Sequence, residues 1–196
     1  MKFDLLYETK ISEDFLTEIM INDVYVNIYT ELAAKIPAFK PDLDKNLLER
    51  EKIAVRLKNG FFPKNMDLAG AYYYVNHSEG TLQIYPDDAH LPSEINADLS
   101  AAGDEAFERL QRDGYEKERA LDDVVFAFSR DSPKDSLNRL INDYEKKAGD
   151  YYMDAVIFQE TILPKGFPLC LYEWTLDFGS RKLRLKKKEM NAREAI

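Results

Sequence analysis

The sequence contains few of the residues that build disulfide-linked, metal-dependent or membrane-bound proteins. One cysteine, Cys170, excludes an internal disulfide framework, and two histidines, His77 and His90, leave little imidazole for a metal centre. No uncharged apolar run approaches the roughly 20 residues that a membrane-spanning helix needs. The first residues also lack the apolar stretch of a secretory signal. These features predict a cytoplasmic protein without a membrane partner.

Motifs that hold nucleotides or activate a nucleophile are also missing. The chain has no Gly-x-Gly-x-x-Gly, no Walker-type loop and no Gly-x-Ser-x-Gly. Cys170 falls at an inward position of a predicted strand, where a thiol usually behaves as a small apolar side chain. We therefore expect no cofactor, no metal and no catalytic residue of a recognised type, which favours a binding protein over an enzyme.

Charge is unevenly distributed along the chain. The whole sequence has 36 acidic and 27 basic residues, a net charge of −9. Residues 1–180 hold 34 of the acids and 20 of the bases, net −14, whereas residues 181–196 hold 2 and 7, net +5. An acidic chain disfavours nucleic acid and suits a more basic protein partner, although the same charge also keeps many proteins soluble.

The basic segment 181–188 is either a tail that binds nucleic acid or a membrane surface, or the charged face of a strand. A two-residue turn at Gly179 and Ser180 explains the order of its side chains, because it pairs Phe178 with Arg181. The next pairs would be apolar on one face and acid–base or polar–base on the other: Leu176 with Leu183, Trp174 with Leu185, Asp177 with Lys182, Thr175 with Arg184, and Glu173 with Lys186. We therefore predict a final strand, whose charges discourage further pairing if it lies at a sheet edge, and a short flexible tail at 189–196.

Three consecutive tyrosines begin a second predicted hairpin. Residues 72–75 and 82–85 flank a four-residue loop at 77–80. This loop predicts five cross-strand pairs: Asn76 with Thr81, Val75 with Leu82, Tyr74 with Gln83, Tyr73 with Ile84, and Tyr72 with Tyr85. The face that carries Tyr72, Tyr74 and Tyr85 is either an exposed recognition surface or a second covered face of the sheet.

Apolar residues at helical spacing predict about five helices. They cover the residues after Ser12 up to Pro37, then 42–60, 93–114, 121–128 and 132–149, with a strand as the alternative at 21–28 and at 121–128. The segment 152–162 is rich in β-branched and aromatic residues and predicts a strand. The expected fold class is therefore α+β. One globular domain at 1–188 would contain an antiparallel sheet, built from the hairpin at 71–85 and a C-terminal meander at 151–188, with about five helices packed on it.

The candidate partner-binding residues are Tyr72, Tyr74, Tyr85, Asp87 and Asp88. We expect an acidic inhibitor or chaperone of a basic protein, for example an immunity protein that occludes a toxin active site. One alternative is an enzyme that uses the loop carboxylates with His90, although Asp-Asp-x-His without a second ligand cluster is weak evidence for a metal. The other alternative is nucleic-acid binding through the basic segment 181–188.

Overall fold

The computed structural model describes residues 4–86 and 91–188, apart from the Cys170 side chain. The helices are α1 (Glu13–Lys35), α2 (Lys40–Phe61), α3 (Asp104–Ser129) and α4 (Lys134–Ile162). The strands are β1 (Tyr7–Lys10), β2 (Tyr72–Asn76), β3 (Thr81–Tyr85), β4 (Glu94–Asp98), β5 (Tyr172–Asp177) and β6 (Lys182–Lys187). None of the helices within the described residues is long and apolar enough to cross a membrane.

The described residues form two compact units. The sheet unit is drawn from the described residues within 4–16, 57–86, 91–107 and 157–188, and the helical unit from Thr17–Arg56 and Glu108–Val156. Both sheets belong to the sheet unit, whereas the helical unit is built mainly from segments of the four helices. The α+β class is therefore confirmed, and the organisation of residues 1–188 as one domain stays a prediction.

Local sequence explains where α1 begins and ends. The carbonyl of Ser12 accepts the Leu16 N–H at 2.9 Å, and the first turn carries two acids, which favour the positive end of a helix. At the other end Ile36 is extended, with φ −134° and ψ 98°, because it precedes Pro37. The β-branched run at 21–28 lies inside this helix, so a strand does not form there.

The first sheet has the strand order β1-β3-β2, and both of its strand pairs are antiparallel. β3 is the central strand, and all of its residues are buried. The predicted hairpin register is confirmed at every pair: Tyr72 with Tyr85, Tyr73 with Ile84, Tyr74 with Gln83, Val75 with Leu82, and Asn76 with Thr81.

The second sheet has the strand order β4-β6-β5, again antiparallel. The predicted pairing of β5 with β6 is confirmed, from Glu173 opposite Lys186 to Asp177 opposite Lys182. β6 is the central strand of this sheet and not an edge strand. Its inward side chains, Leu183 and Leu185, are 0% and 2% exposed, so the basic segment is part of the folded core.

The turn between β5 and β6 differs from the predicted one. The strands stop at Asp177 and Lys182, and the positive φ lies at Arg181 (51°) and not at Gly179. The Asp177 carboxylate accepts the Ser180 N–H at 3.0 Å, which helps to close the turn. The observed four-residue loop at 178–181 has the same centre as the predicted two-residue loop at 179–180. The strand register is therefore the predicted one, although the turn type is different.

Two predicted elements have the wrong type. The segment 152–162 is the end of α4, where buried residues recur at helical spacing through Tyr152, Ala155 and Phe158. The residues after Ser93 form β4 instead of a helix. A strand was predicted at 152–162 because that segment is rich in aromatic and β-branched residues. A helix was predicted after Ser93 because Ile95 and Leu99 are four residues apart.

The predicted numbers of helices and sheets also change. Two predicted helices, at 93–114 and 121–128, are replaced by the single helix α3, which begins after Gly103 (φ 92°) and continues through Gly114. Gly149 likewise lies inside α4 and does not end it. The described residues therefore contain four α-helices and two three-stranded sheets, where about five helices and one sheet were expected.

Candidate functional site

The predicted tyrosine surface is buried. Tyr72, Tyr74 and Tyr85 are 6%, 6% and 2% exposed. Tyr72 stacks on Tyr85 with ring centroids 5.5 Å apart, and the Tyr85 hydroxyl donates a hydrogen bond of 2.9 Å to Gln83. Anchors for a protein partner need exposed rings, so the structure supports the alternative interpretation, a face that is covered.

The predicted acidic loop cannot be placed, since Asp87, Asp88 and His90 lie outside the described residues. The partner-binding role of the two carboxylates stays a prediction, as does the alternative enzymatic role of the three residues together. Within residues 4–86 and 91–188, no group of three or more histidine, cysteine, aspartate or glutamate side chains is arranged to hold a metal ion.

Glu160, near the end of α4, is a buried carboxylate that binds the turn between β2 and β3. It accepts the backbone N–H groups of His77 and Ser78 at 2.9 and 2.8 Å, the Ser78 hydroxyl at 2.5 Å, and the Tyr74 hydroxyl. The Nδ1 atom of His77 lies 3.3 Å from Glu160 Oε1. Burial by itself raises the pKa of Glu160, but the hydrogen bonds from His77, Ser78 and Tyr74 outweigh it and lower the pKa to about 2. A carboxylate with so many donors is a structural acceptor and a poor general base.

A small pocket lies beside Glu160. Its walls are Tyr74, Asn76, Glu160, residues 163–167 and Leu169. The empty volume is about 250 Å³ including the part open to solvent. Ligand pockets usually enclose roughly 300–1,000 Å³, so this pocket is too small for most substrates.

A buried lysine occupies the interior of the helical unit. Lys117 of α3 is 4% exposed and donates to Glu31 of α1 at 2.6 Å and to Glu118 at 2.7 Å. Its ammonium nitrogen lies 5.1 and 5.3 Å from the ring centroids of Tyr151 and Tyr152 of α4. Ion pairing and cation–π contact together compensate the loss of water around the charge.

Three tyrosines complete this cluster. Tyr144, which is 0% exposed, donates to the second oxygen of Glu31 at 2.6 Å. Burial and the negative charge of Glu31 raise the pKa of Tyr144, Tyr151 and Tyr152, so all three phenols stay neutral. The Lys117 and Glu31 charges are satisfied inside the unit, and we interpret the cluster as a structural network that joins three helices.

Four exposed or half-exposed aromatic rings of the helical unit form one continuous row. We name this row, which consists of Tyr25, Tyr29, Phe39 and Phe128, the aromatic strip. Successive ring centroids lie 6.3, 6.3 and 6.2 Å apart, within the range of direct ring contact. The rings at the two ends, Tyr25 and Phe128, are 37% and 39% exposed. The aromatic strip is therefore a contiguous surface and not a set of scattered side chains.

Negative charge accompanies the aromatic strip. The Tyr29 hydroxyl donates a hydrogen bond of 2.7 Å to Glu145. Burial, this hydrogen bond and the negative charges of Glu145 and Asp42 raise the pKa of Tyr29, so the phenol stays a neutral donor. Ring faces next to carboxylates form a chemical environment that attracts the cations of arginine and lysine.

The aromatic strip was not predicted from the sequence. Tyr25 and Tyr29 are four residues apart, which places them on one helix face. The sequence gives no sign that Phe39 and Phe128 continue the row, because three separate segments meet there. The one usable signal was the aromatic excess of 12 Tyr and 11 Phe, which predicts abundant rings but no location.

The fold and this surface together define an α+β protein with a candidate protein-binding site in its helical unit. No protein-family model, no curated protein and no solved structure matches the chain. The function is therefore inferred from the contacts and charges of the chain itself.

Proposed function

We propose that this chain is a cytoplasmic, non-enzymatic binding protein whose partner is a more basic protein. The aromatic strip carries the proposal, because its exposed ends, Tyr25 and Phe128, are joined by two further rings, one of which, Tyr29, donates to the Glu145 carboxylate. Exposed aromatic residues are common anchors of protein interfaces and often supply most of the binding energy. The net charge of −9 favours a partner of opposite charge.

An arginine or lysine of the partner gains two kinds of contact at the aromatic strip. Its cation can lie over the ring of Tyr25, which contacts Tyr29 directly, and this contact contributes about 0.5–2 kcal/mol. Its N–H groups can also donate to Glu145, which already accepts the Tyr29 hydroxyl. The two contacts together select a basic partner over a neutral one.

A specific form of the proposal is an inhibitor or chaperone, for example an immunity protein that occludes a toxin active site. Sites that act on nucleic acid are rich in basic residues, so an acidic protein with aromatic anchors can cover them without any chemistry. Inhibition would then be steric and electrostatic, with association that slows as salt rises.

The two other hypotheses have less support. The enzymatic one depends on Asp87, Asp88 and His90, which the structure does not describe. Nucleic-acid binding needs a free basic segment, but in the second sheet Lys182 lies between Asp98 and Asp177. Bases that already face acids on both sides have little net attraction for phosphate.

Affinity capture from the native host at low and moderate salt tests the proposal. The baits are the wild type, the double variant Tyr25→Ala/Phe128→Ala, and the control Tyr115→Ala, which removes a ring that is 69% exposed on α3 outside the aromatic strip. We expect the wild type and the control to recover the same basic protein, and the double variant to recover at least tenfold less. Recovery of no protein by the wild type at either salt concentration, or equal recovery by the double variant, would contradict the proposal.

A further inference from the structure

β4 is the open edge of the second sheet. Within residues 4–86 and 91–188, β6 is the one strand that pairs with it. All residues of β4 are exposed or half-exposed. β4 is therefore accessible along its whole length, whereas the other edge strand, β5, is buried at Tyr172 and exposed or half-exposed over its remaining residues.

The hydrogen bonds that flank β4 show which of its backbone groups point outward. The Leu99 N–H donates to the Arg181 carbonyl at 3.0 Å, and the Lys187 N–H donates to the Ser93 carbonyl at 2.8 Å. Hydrogen-bonded pairs alternate along an antiparallel ladder, so the odd-numbered residues of β4 bond to β6. The N–H and C=O groups of Glu94 and Asn96 and the N–H of Asp98 therefore point away from the sheet and can pair with another strand, whereas the Asp98 carbonyl begins the 3-10 turn at Leu99–Ala102.

Side-chain charges alternate across the exposed face of this sheet. Two columns run from edge to edge in the order acid, base, acid: Asp98, Lys182 and Asp177 form one, and Glu94, Lys186 and Glu173 form the other. Hydrogen bonds from the Ser100 backbone and side chain, together with nearby positive charges, lower the pKa of Asp98 and keep it ionised. If a further strand paired with β4, the residue that continued either column would therefore be a base.

A second copy of this chain fits the edge poorly. An antiparallel β4–β4 pair centred on Asn96 would place Glu94 of each copy opposite Asp98 of the other. Like charges that face each other directly across two strands are destabilising. The acids at the edge thus oppose self-association while they leave the edge open to a strand of opposite charge.

We infer that β4 accepts an extended basic segment of a protein partner as a fourth strand. The segment carries Lys or Arg opposite Glu94 and Asp98, and apolar residues on the other face beside Ile95 and Ala97. β6 already has this pattern, Lys-Leu-Arg-Leu-Lys, and pairs with the inner side of β4 through it. The inference goes beyond the proposed function and does not need the aromatic strip, so either can fail without the other.

Binding of labelled peptides to the full chain, followed by fluorescence anisotropy, tests this inference. The peptide KLRLKK repeats the β6 pattern, KRKKLL has the same composition without alternation, and ELELEE reverses the charge. We expect KLRLKK to bind at least tenfold more tightly than KRKKLL, and ELELEE not to bind. Equal affinity for KLRLKK and KRKKLL would overturn strand pairing, because bare charge would then explain the binding.

Proline substitution tests the edge itself. Asn96→Pro removes an N–H that makes no bond to β6, so it should leave the sheet folded and weaken KLRLKK binding at least tenfold. The matched control Ala97→Pro removes an N–H that bonds to β6 and should lower thermal stability. Unchanged peptide affinity in a folded Asn96→Pro variant would overturn the inference.

Hydrogen exchange in the wild type removes any dependence on how a variant folds. With KLRLKK at saturation, the amides of Glu94, Asn96 and Asp98 should exchange at least tenfold more slowly. The amides of Ile95 and Ala97, which already bond to β6, should change little. Binding without slower exchange at Asn96 would place the peptide elsewhere and would overturn the β4 site while leaving the aromatic strip untouched.

Discussion

Gly166 lies against the phenol of Tyr85 so closely that a Cβ atom on the glycine would come within 2.3 Å of the Tyr85 hydroxyl oxygen. The backbone at Gly166 also has a φ of 78°, which side chains other than glycine rarely adopt. The segment after α4 can therefore cover the tyrosine face of the first sheet because residue 166 has no side chain. This contact explains why the predicted recognition surface is part of the core.

Replacing Gly166 with alanine should destabilise the sheet unit. Left-handed backbone strain of about 1–2 kcal/mol and overpacking of about 1–3 kcal/mol predict a total loss of roughly 2–5 kcal/mol. The control Gly60→Ala lies inside α2 with nothing within 4 Å and should stabilise by up to about 1 kcal/mol. Urea unfolding of the three proteins measures both effects, and equal stability of the two variants would refute the predicted contact.

Stability should depend on pH through Glu160. Its pKa is about 2 in the folded chain against an ordinary value of 4.5. A lowered carboxyl pKa gives stability that is complete above the unfolded value and is lost as pH falls from about 4.5 toward 2. Glu160→Gln should lower the free energy of unfolding at pH 7 by on the order of 2–3 kcal/mol. It should also reduce the loss of stability between pH 4.5 and pH 2, which we call the acid limb.

Urea unfolding between pH 2 and pH 7 measures the effect of Glu160. The exposed residue Glu51, which lies inside α2 and beyond its first turn, provides the control, since Glu51→Gln should leave both the stability at pH 7 and the acid limb unchanged. An acid limb in Glu160→Gln as steep as that of the wild type would show that other carboxylates cause it.

Lys117 and Glu31 should be energetically coupled. Lys117→Met leaves the Glu31 carboxylate, whose side chain is 26% exposed, without its cation and should cost about 2–3 kcal/mol. Glu31→Gln keeps an acceptor for Tyr144 but leaves the ammonium with Glu118 alone. The double variant should therefore cost about 1–2 kcal/mol less than the sum of the single variants. A double-mutant cycle by chemical unfolding measures the difference, and costs that add would mean that the two charges do not interact.

Removal of β6 should unfold the second sheet. Leu183→Ala empties a site that is 0% exposed and should cost about 2–5 kcal/mol, whereas Lys182→Ala on the exposed face should cost less than about 1 kcal/mol. Deletion of residues 181–196 removes the central strand, so its thermal melt should lack the transition of the sheet unit. A deletion that melts like the wild type would favour the free basic tail.

Sequence reasoning succeeded where the geometry of a short loop determined the answer. In both hairpins the loop centre determines every cross-strand pair, which is why Tyr74 faces Gln83 and Leu176 faces Leu183 as predicted. It failed at 152–162, where aromatic composition concealed a helical spacing, and at β4, where Ile95 and Leu99 matched a helix by chance. Pattern alone cannot decide such short segments, because tertiary contacts override propensity.

The candidate site was less predictable than the fold. The exposure of Tyr72 and Tyr74 depends on the segment after α4, and the aromatic strip depends on the meeting of three segments. Neither relation can be predicted from neighbouring residues in the sequence, because the burial of a side chain depends on residues that are distant along the chain. The charge pairing of β6 was predictable on the β5 side, whereas its pairing with Glu94 and Asp98 was not.

Site-specific photo-crosslinking in the native host shows whether a basic protein binds the aromatic strip. A photoreactive phenylalanine analogue would replace Tyr25 or Phe128, and a control would carry it at Tyr115, which lies thirteen residues and about 20 Å along α3 from Phe128. We expect one crosslinked product with a basic protein from positions 25 and 128, and none from position 115. No crosslink from either strip position, or an equal yield from position 115, would contradict binding at the aromatic strip.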